Sequence, residues 1–141
     1  MMNEKYRVVL ADDSILFRNE LKRFLAEKSD LDVIGEAGNG LELLNLLNKL
    51  TPNLIILDIT MPNLTGIEAA RQIKMNYPNL KVLILTVHQE KEYFQQAMLA
   101  GTNGYLLKND LDELFPAIEM IRLGKVYISP IFSGQSENGS L

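Results

Sequence analysis

Short apolar runs alternate along the chain with longer stretches in which apolar residues recur every three or four positions. Runs this short, bounded by turn-forming residues, are typical of strands buried on both faces of a parallel sheet. The longer stretches have the spacing of amphipathic helices that pack one face against such a sheet. The predicted strands are 6–10, 32–37, 54–57, 81–86 and 104–108, and a helix is predicted after each of them.

Three helix boundaries are indicated by particular residues. The third helix is predicted over Gly66–Tyr77, and the fourth over about Glu90–Ala100 with Gly101 as a left-handed cap. Pro116 falls inside the fifth apolar stripe and has no amide hydrogen to donate. The fifth helix is therefore predicted to begin late, near Asp112, or else to be kinked at the proline.

Five strands alternating with five helices predict a single α/β domain with a doubly wound, flavodoxin-like parallel sheet. Right-handed crossovers favour the strand order 2-1-3-4-5. Glu36 within the second strand suggests an edge position. Lys125–Pro130 is compatible with a short extension of the domain, and Ser133–Ser140 reads as a linker that we expect to be disordered.

Composition excludes several classes of protein. The 141 residues contain no cysteine and one histidine, which rules out disulfides and thiolate metal sites and argues against zinc. The chain has no signal-peptide pattern and no apolar run of membrane-spanning length, so a cytoplasmic protein without membrane contact is expected. A net charge of −4 and a pI near 5.0 show that the chain lacks the excess of positive charge typical of proteins that bind nucleic acid.

Charged and hydroxyl side chains follow four of the predicted strands. Asp12 and Asp13 follow the first strand and Asp58 follows the third, and these two strands are neighbours in the predicted order. Ligands bind at this carboxyl edge of open α/β sheets, where Thr86 and Lys108 end strands four and five. Taken singly, each residue has an ordinary explanation as a helix cap, a turn residue or an exposed strand end. Their joint occurrence at one edge favours a site.

Three converging carboxylates suggest a magnesium site. Two carboxylates in close contact repel each other by about 4 kcal/mol at an effective dielectric constant of 20. A hard divalent cation with oxygen ligands, Mg²⁺, removes this penalty and keeps positions open for a phosphate oxygen. With Lys108 and Thr86 holding the other phosphoryl oxygens, Asp58 becomes a nucleophile on phosphorus, and the predicted product is an aspartyl phosphate.

These motifs resemble those of the receiver domain of bacterial two-component response regulators. The resemblance extends from Tyr6 to about Leu123, and its motifs are Ala11-Asp12-Asp13, Leu57–Gly66, Thr86 and Gly101–Lys108. It implies that Asp58 accepts a phosphoryl group from a histidine kinase. It also implies that Asp13, Asp58 and the backbone carbonyl of Thr60 ligate Mg²⁺, with Asp12 assisting through water.

The same resemblance implies a switch. Thr86 and Lys108 would bind the phosphoryl group, and Tyr105 would be the aromatic residue that moves and changes the surface of helix four, strand five and helix five. The alternative for Tyr105 is an ordinary surface residue of an amphipathic strand. Many receivers place a proline directly after the lysine, whereas this chain has Asn109, so a cis proline bond is not expected there.

Three residues near the predicted site are candidates for controlling the lifetime of the phosphorylated form. We hypothesise that His88 and Thr60 flank the phosphoryl group and set its hydrolysis rate, and that Val87 narrows the entrance for water. The alternative for His88 is a solvated loop residue. It is not an expected phosphodonor, since the donor histidine of a kinase belongs to a helical bundle.

The C-terminal part resembles a junction between domains. Gly124–Pro130 is similar to the receiver-to-linker junction of NarL/FixJ regulators, which continue into a LuxR-type helix-turn-helix. Residues 1–124 are thus expected to be the receiver, residues 125–141 a linker, and DNA binding the task of an output domain absent from this sequence. A homodimer on phosphorylation is also expected. The alternatives are a stand-alone phosphorelay receiver, a haloacid-dehalogenase-type phosphatase and a phosphate-independent interaction module.

Overall fold

A computed structural model describes residues 4–133 as a parallel sheet covered by helices on both faces. The sheet has the order β2-β1-β3-β4-β5-β6. Its strands are β1 (Tyr6–Ala11), β2 (Leu31–Ala37), β3 (Leu54–Leu57), β4 (Lys81–Thr86), β5 (Gly104–Leu107) and β6 (Tyr127–Ile128). The helices are α1 (Ile15–Leu25), α2 (Gly40–Leu46), α3 (Gly66–Asn76), α4 (Lys91–Leu99) and α5 (Leu114–Arg122).

The sheet has six strands, so the prediction of five was wrong by one short strand. The additional strand, β6, pairs in parallel with β5 and falls within the predicted extension 125–130. The first five strands follow the predicted flavodoxin-like order, and β2 with Glu36 lies at the edge. Of the predicted linker 133–140, residues 134–140 lie outside the described residues.

Alternation of side chains along the buried strands divides the core into two layers. Val8 and Leu10 of β1 face a cluster completed by α1 and α5, whereas Val9 and Ala11 face a cluster completed by α2, α3 and α4. All four residues of β3 are fully or almost fully buried. This burial on both faces explains why the strand reads as a continuous apolar run.

Strand register determines which side chains meet at the carboxyl edge of the sheet. Ala11 of β1 pairs with Leu57 of β3, so the residues that follow them, Asp12 and Asp58, leave the sheet at the same level. On the other side of β4, Thr86 pairs with Leu107, the residue before Lys108. The topology thus brings four polar residues to a single edge of the sheet: Asp12, Asp58, Thr86 and Lys108.

The start of α5 differs slightly from the prediction. Residues 108–113 form a 3₁₀ segment, and α5 begins at Leu114, two residues after the expected start near Asp112. Pro116 then lies in the first turn, where its missing amide hydrogen has no intrahelical partner to lose. Gly101 has a φ of +90°, as its predicted role of left-handed cap requires. Within residues 4–133, no helix is both long enough and apolar enough to cross a bilayer.

Candidate functional site

Three carboxylates converge where β1 and β3 end. One oxygen from each of Asp12, Asp13 and Asp58 lies within 4.8 Å of the others. Asp12 and Asp58 are buried, with 4% and 7% of their surface exposed, whereas Asp13 is exposed. The cluster is therefore buried on one side and open to solvent on the other, which allows a ligand to enter.

Lys108 supplies positive charge to the two buried carboxylates. Its Nζ lies 2.7 Å from Oδ2 of Asp12 and 3.4 Å from Oδ2 of Asp58. The ammonium also lies 4.2 Å from the centre of the Phe17 ring, which covers it from the α1 side. The shorter distance to Asp12 shows that the lysine pairs mainly with that residue.

The backbone holds Asp58 at a fixed position. Its amide donates to the carbonyl of Ala11 at 2.9 Å, and its Oδ1 accepts from the amide of Ile59 at 2.8 Å. The following loop returns close to the strand end, because the amide of Gly66 donates to the carbonyl of Ile59 at 2.7 Å. A Cβ at Gly66 would lie 1.9 Å from the carbonyl oxygen of Asp58, so a glycine is needed for this approach.

The electrostatics of the cluster favour an additional cation. Burial raises the pKa of Asp58 above its ordinary value of 3.8, and the charge of Asp12 raises it further. Lys108 and a hydrogen bond from Thr86 act in the opposite direction without cancelling the effect of burial on this pKa. A cluster of three carboxylates and one ammonium thus carries an uncompensated negative charge. Its oxygen donors fit a hard ion such as Mg²⁺.

Thr86 lies beside the acidic cluster and is fully buried. Its hydroxyl accepts from the amide of His88 at 3.3 Å, and it lies near enough to Asp58 to lower the pKa of that carboxyl. The threonine that ends β4 is therefore a neighbour of the carboxylate.

His88 and Thr60, which come from different loops, meet at the rim of the site. Nε2 of His88 and Oγ1 of Thr60 share a hydrogen bond of 2.6 Å. The other ring nitrogen lies 3.5 Å from Oε1 of Glu90, and the imidazole packs against the ring of Tyr93 at a tilt of 31°, with 4.3 Å between ring centres. The imidazole is therefore held in one orientation. Sequence reasoning missed Glu90 and Tyr93, whose only signal was their spacing from His88.

Tyr105 is completely buried, so its interpretation as a surface strand residue was wrong. Its hydroxyl donates to the carbonyl of His88 at 2.9 Å, and its ring packs edge-on against Phe94 of α4 at 5.4 Å. Burial raises the pKa of its phenol, which stays protonated as a hydrogen-bond donor. Val87, by contrast, is 65% exposed, and its predicted effect on water entry stays a prediction.

The fold and the site define a class of protein. A doubly wound parallel sheet presents an acidic cluster and a lysine at the point where its strand order reverses, which is the ligand-binding position of such sheets. Residues 8–119 match the response regulator receiver domain family, and the chain belongs to that family. This finding decides against the haloacid-dehalogenase-type alternative and identifies a regulatory domain rather than a dedicated enzyme.

Named relatives agree with the family. The chain is 37% identical over 127 residues to the transcriptional regulatory protein DegU of Brevibacillus brevis, covering 89% of this chain and 54% of DegU. A LuxR-family two-component response regulator from Aurantimonas sp. has a TM-score of 0.89 at 32% identity, with 98% of this chain and all of that chain covered. The isolated receiver domain of RcsB from Salmonella enterica serovar Typhimurium, solved with the phosphomimetic BeF3-, has a TM-score of 0.86 at 25% identity, covering 92% of this chain and 97% of that one.

The match covers only part of the curated relatives. The chain spans 54% of DegU and 61% of the response regulator GacA of Pseudomonas aeruginosa. It therefore corresponds to a part of each of these longer relatives and not to their whole length.

Proposed function

We propose that this domain is a phosphorylation-controlled switch in which Asp58 accepts a phosphoryl group from a histidine kinase in a Mg²⁺-dependent reaction. The observation that carries the proposal is the convergence of Asp58 with Asp12, Asp13 and Lys108. Asp58 also has the fully buried Thr86 as a neighbour. The Asp58 carboxylate is therefore surrounded by a hydroxyl, an ammonium and two further carboxylates.

The carboxylates divide naturally into direct and indirect metal ligands. Asp12 uses Oδ1 to accept from the amide of Ser14 at 2.8 Å and Oδ2 to pair with Lys108, which supports a water-mediated role. Asp13 is exposed and would bind directly, together with Asp58 and the backbone carbonyl of Thr60. When bound, Mg²⁺ supplies positive charge to the carboxylates and to the phosphoryl oxygens.

The transfer itself requires little chemistry from the protein. A carboxylate oxygen of Asp58 forms a bond to phosphorus while the bond between phosphorus and the histidine nitrogen of the kinase breaks, and that nitrogen keeps the electron pair. Lys108 and Thr86 hold two phosphoryl oxygens as their charge is redistributed. The domain thus contributes positioning and charge rather than an acid or a base.

Thr86 and Tyr105 connect the phosphoryl group to the surface of α4, β5 and α5. Thr86 is a neighbour of Asp58 while Tyr105 is buried, which is the pair of positions expected when a phosphoryl group is bound. Moving a population from 1:99 to 99:1 requires about 5.5 kcal/mol. Charge-assisted hydrogen bonds from Lys108 and Thr86, at about 1.5–3 kcal/mol each, are of the size needed.

The output proposed for the whole protein is control of transcription through a DNA-binding domain. DegU is named a transcriptional regulatory protein, and the Aurantimonas protein is named a member of the LuxR family. A stand-alone receiver in a phosphorelay is the second candidate. The coding sequence downstream of Leu141 distinguishes the two, and we expect it to contain a helix-turn-helix.

Intact mass spectrometry tests the phosphoacceptor function. We expect incubation with acetyl phosphate and Mg²⁺ to add the mass of one phosphoryl group, and hydroxylamine, which cleaves acyl phosphates, to remove it. Chelation of Mg²⁺ should prevent the addition. A protein that stays unmodified with Mg²⁺ present would contradict the proposal and support a phosphate-independent interaction module.

The raised pKa of Asp58 predicts the pH dependence of stability without Mg²⁺. The pKa of Asp58 is higher in the folded protein than the value of 3.8 expected in the unfolded chain. Its contribution to stability is therefore complete at pH values below 3.8 and is lost as the pH rises through the folded pKa. At neutral pH without metal, Asp58→Asn should therefore unfold at a higher temperature than the unsubstituted protein. Thermal unfolding across pH measures this difference.

Mg²⁺ should reverse the order of the unfolding temperatures, so that the unsubstituted protein becomes more stable than Asp58→Asn. At a concentration 100 times its Kd, a ligand that binds only the folded state stabilises it by about 2.7 kcal/mol. Asp58→Asn lacks one charged metal ligand, so Mg²⁺ should stabilise it less than the unsubstituted protein. Equal Mg²⁺ responses of the two proteins would show that Asp58 does not contribute to the metal site.

The bond between His88 and Thr60 predicts their effect on the phosphorylated lifetime. If the imidazole positions the attacking water, loss of one hydrogen bond in the transition state slows hydrolysis by about tenfold. We expect this slowing in His88→Ala and in Thr60→Ala, with no further slowing in the double variant because both act through one hydrogen bond. Decay of the phosphorylated species after removal of acetyl phosphate gives the rates. Unchanged rates in both single variants would refute the hypothesis.

A further inference from the structure

After α5 the chain returns to the edge of β5, where residues 127–132, which we call the β6 segment, lie along Tyr105. The amide of Tyr127 donates to the carbonyl of Asn103 at 3.1 Å, and the amide of Ser129 donates to the carbonyl of Tyr105 at 2.8 Å. The β6 segment therefore occupies a sheet edge that β5 would otherwise expose.

Side chains fix the same segment to the end of β5 and to the 3₁₀ segment that begins with the site lysine. The fully buried hydroxyl of Ser129 accepts from the amide of Leu107 at 3.0 Å and lies 3.2 Å from Oδ2 of Asp110. The phenol of Tyr127 donates to Glu113. The β6 segment thus contacts both elements that adjoin the phosphoryl-binding residues.

Phe132 covers the ring of Tyr105. It is 1% exposed, it stacks on Phe94 of α4 with 4.6 Å between ring centres, and it meets Tyr105 edge-on at 5.2 Å. The three rings form one aromatic cluster that joins α4, β5 and the β6 segment. An outward turn of the Tyr105 ring would break its contact with Phe132.

A continuous series of contacts links this cluster to the acidic site. The phenol of Tyr105 donates to the carbonyl of His88, the amide of His88 donates to the hydroxyl of Thr86, and Thr86 is in turn a neighbour of the Asp58 carboxylate. Any group on Asp58 that holds Thr86 inward therefore also favours the buried position of Tyr105. That position is the one on which Phe132 packs.

We propose that Phe132 is a positioning residue, and that docking of the β6 segment over Tyr105 and binding of a phosphoryl group at Asp58 stabilise each other. This inference rests on the proposed function and adds the route by which phosphorylation of Asp58 affects the C-terminal side of the domain. Coupling between two sites is reciprocal, so each event strengthens the other by the same factor. Phosphorylation would then affect whatever follows Ser133 by strengthening the docking of the β6 segment.

The first test compares two substitutions of neighbouring residues in the 141-residue chain. Phe132→Ala removes the buried ring, and Ile131→Ala is the matched control because Ile131 is 58% exposed. With Mg²⁺ present and beryllium fluoride as the phosphoryl mimic, we expect the half-saturating beryllium fluoride concentration to rise at least about fivefold in Phe132→Ala. It should stay within about twofold of the unsubstituted value in Ile131→Ala. Affinity for Mg²⁺ alone should be unchanged in both, because neither residue contacts the carboxylates.

The second test measures the reverse effect without altering the β6 segment. Hydrogen exchange at the amide of Ser129 reports opening of its bond to Tyr105. In the unsubstituted protein, beryllium fluoride with Mg²⁺ should slow this exchange at least about fivefold. The same addition should have no effect in Asp58→Asn.

The outcomes separate the two proposals. Absence of beryllium fluoride binding in the unsubstituted protein would overturn the phosphoacceptor function and the coupling together. Normal binding with equal affinities in Phe132→Ala and Ile131→Ala, or with unchanged exchange at Ser129, would overturn the coupling alone. Should Phe132→Ala fail to fold, Phe132→Leu, which keeps an apolar side chain but removes the ring, takes its place in the comparison.

Discussion

Asp58→Asn should abolish phosphoryl uptake from acetyl phosphate. Asparagine keeps the shape of the side chain and can still accept the hydrogen bond from the amide of Ile59, but its amide oxygen is a poor nucleophile. We expect no mass increment after incubation with Mg²⁺, under conditions in which the unsubstituted protein becomes fully modified. Of the substitutions considered for the site, this one has the largest expected effect on function.

Two further variants show whether the loss is specific. Asp32→Asn alters an exposed carboxylate of β2 far along the sheet from the site, and uptake should be unchanged. Asp13→Asn keeps an oxygen at the metal position but removes its charge, so uptake should be slower and should require more Mg²⁺. Normal uptake by Asp58→Asn would place the acceptor elsewhere, and peptide mapping would then identify it.

Much of the fold could be predicted because its signals are local. All four residues of β3 and five of the six residues of β4 are buried, and a strand that is buried on both faces has a nearly continuous run of apolar residues in its sequence. The two-residue strand β6 has no such signal. Tyr127 and Ile128 are only partly buried, and their strand conformation depends on pairing with β5, which lies more than twenty residues earlier in the chain.

The candidate site was predictable to the extent that strand ends and sheet order determine it. Once β1 and β3 are neighbours, Asp12 and Asp58 must leave the sheet side by side. The burial of Tyr105 could not be predicted from its own strand, because it depends on Phe94 and on Phe132, which come from two other parts of the chain. The preference of Lys108 for Asp12 over Asp58 likewise depends on side-chain positions that no sequence pattern specifies.

Gly66 matters both for the fold, because it begins α3, and for the site, because it packs against the backbone of Asp58. Thr65 caps α3 by accepting from the amide of Glu68 at 3.3 Å. A Cβ on Gly66 would lie 1.9 Å from the carbonyl oxygen of Asp58 and 2.9 Å from Cα of Ile59. Both neighbours are backbone atoms, so no rotation of a side chain can relieve the overlap. The loop that carries Asp58 would have to move instead.

Gly66→Ala should therefore destabilise the protein by about 3 kcal/mol, the upper part of the usual range for overpacking. Gly38→Ala is the matched control, since the nearest atoms to a Cβ there are side-chain atoms of Arg18 and Glu42 at 3.5 Å. Its cost should stay below about 1 kcal/mol. Urea unfolding of the three proteins gives the free energies. Similar midpoints for the two variants would show that the loop after β3 is able to yield, and Asp58 would then be held less rigidly than its backbone contacts indicate.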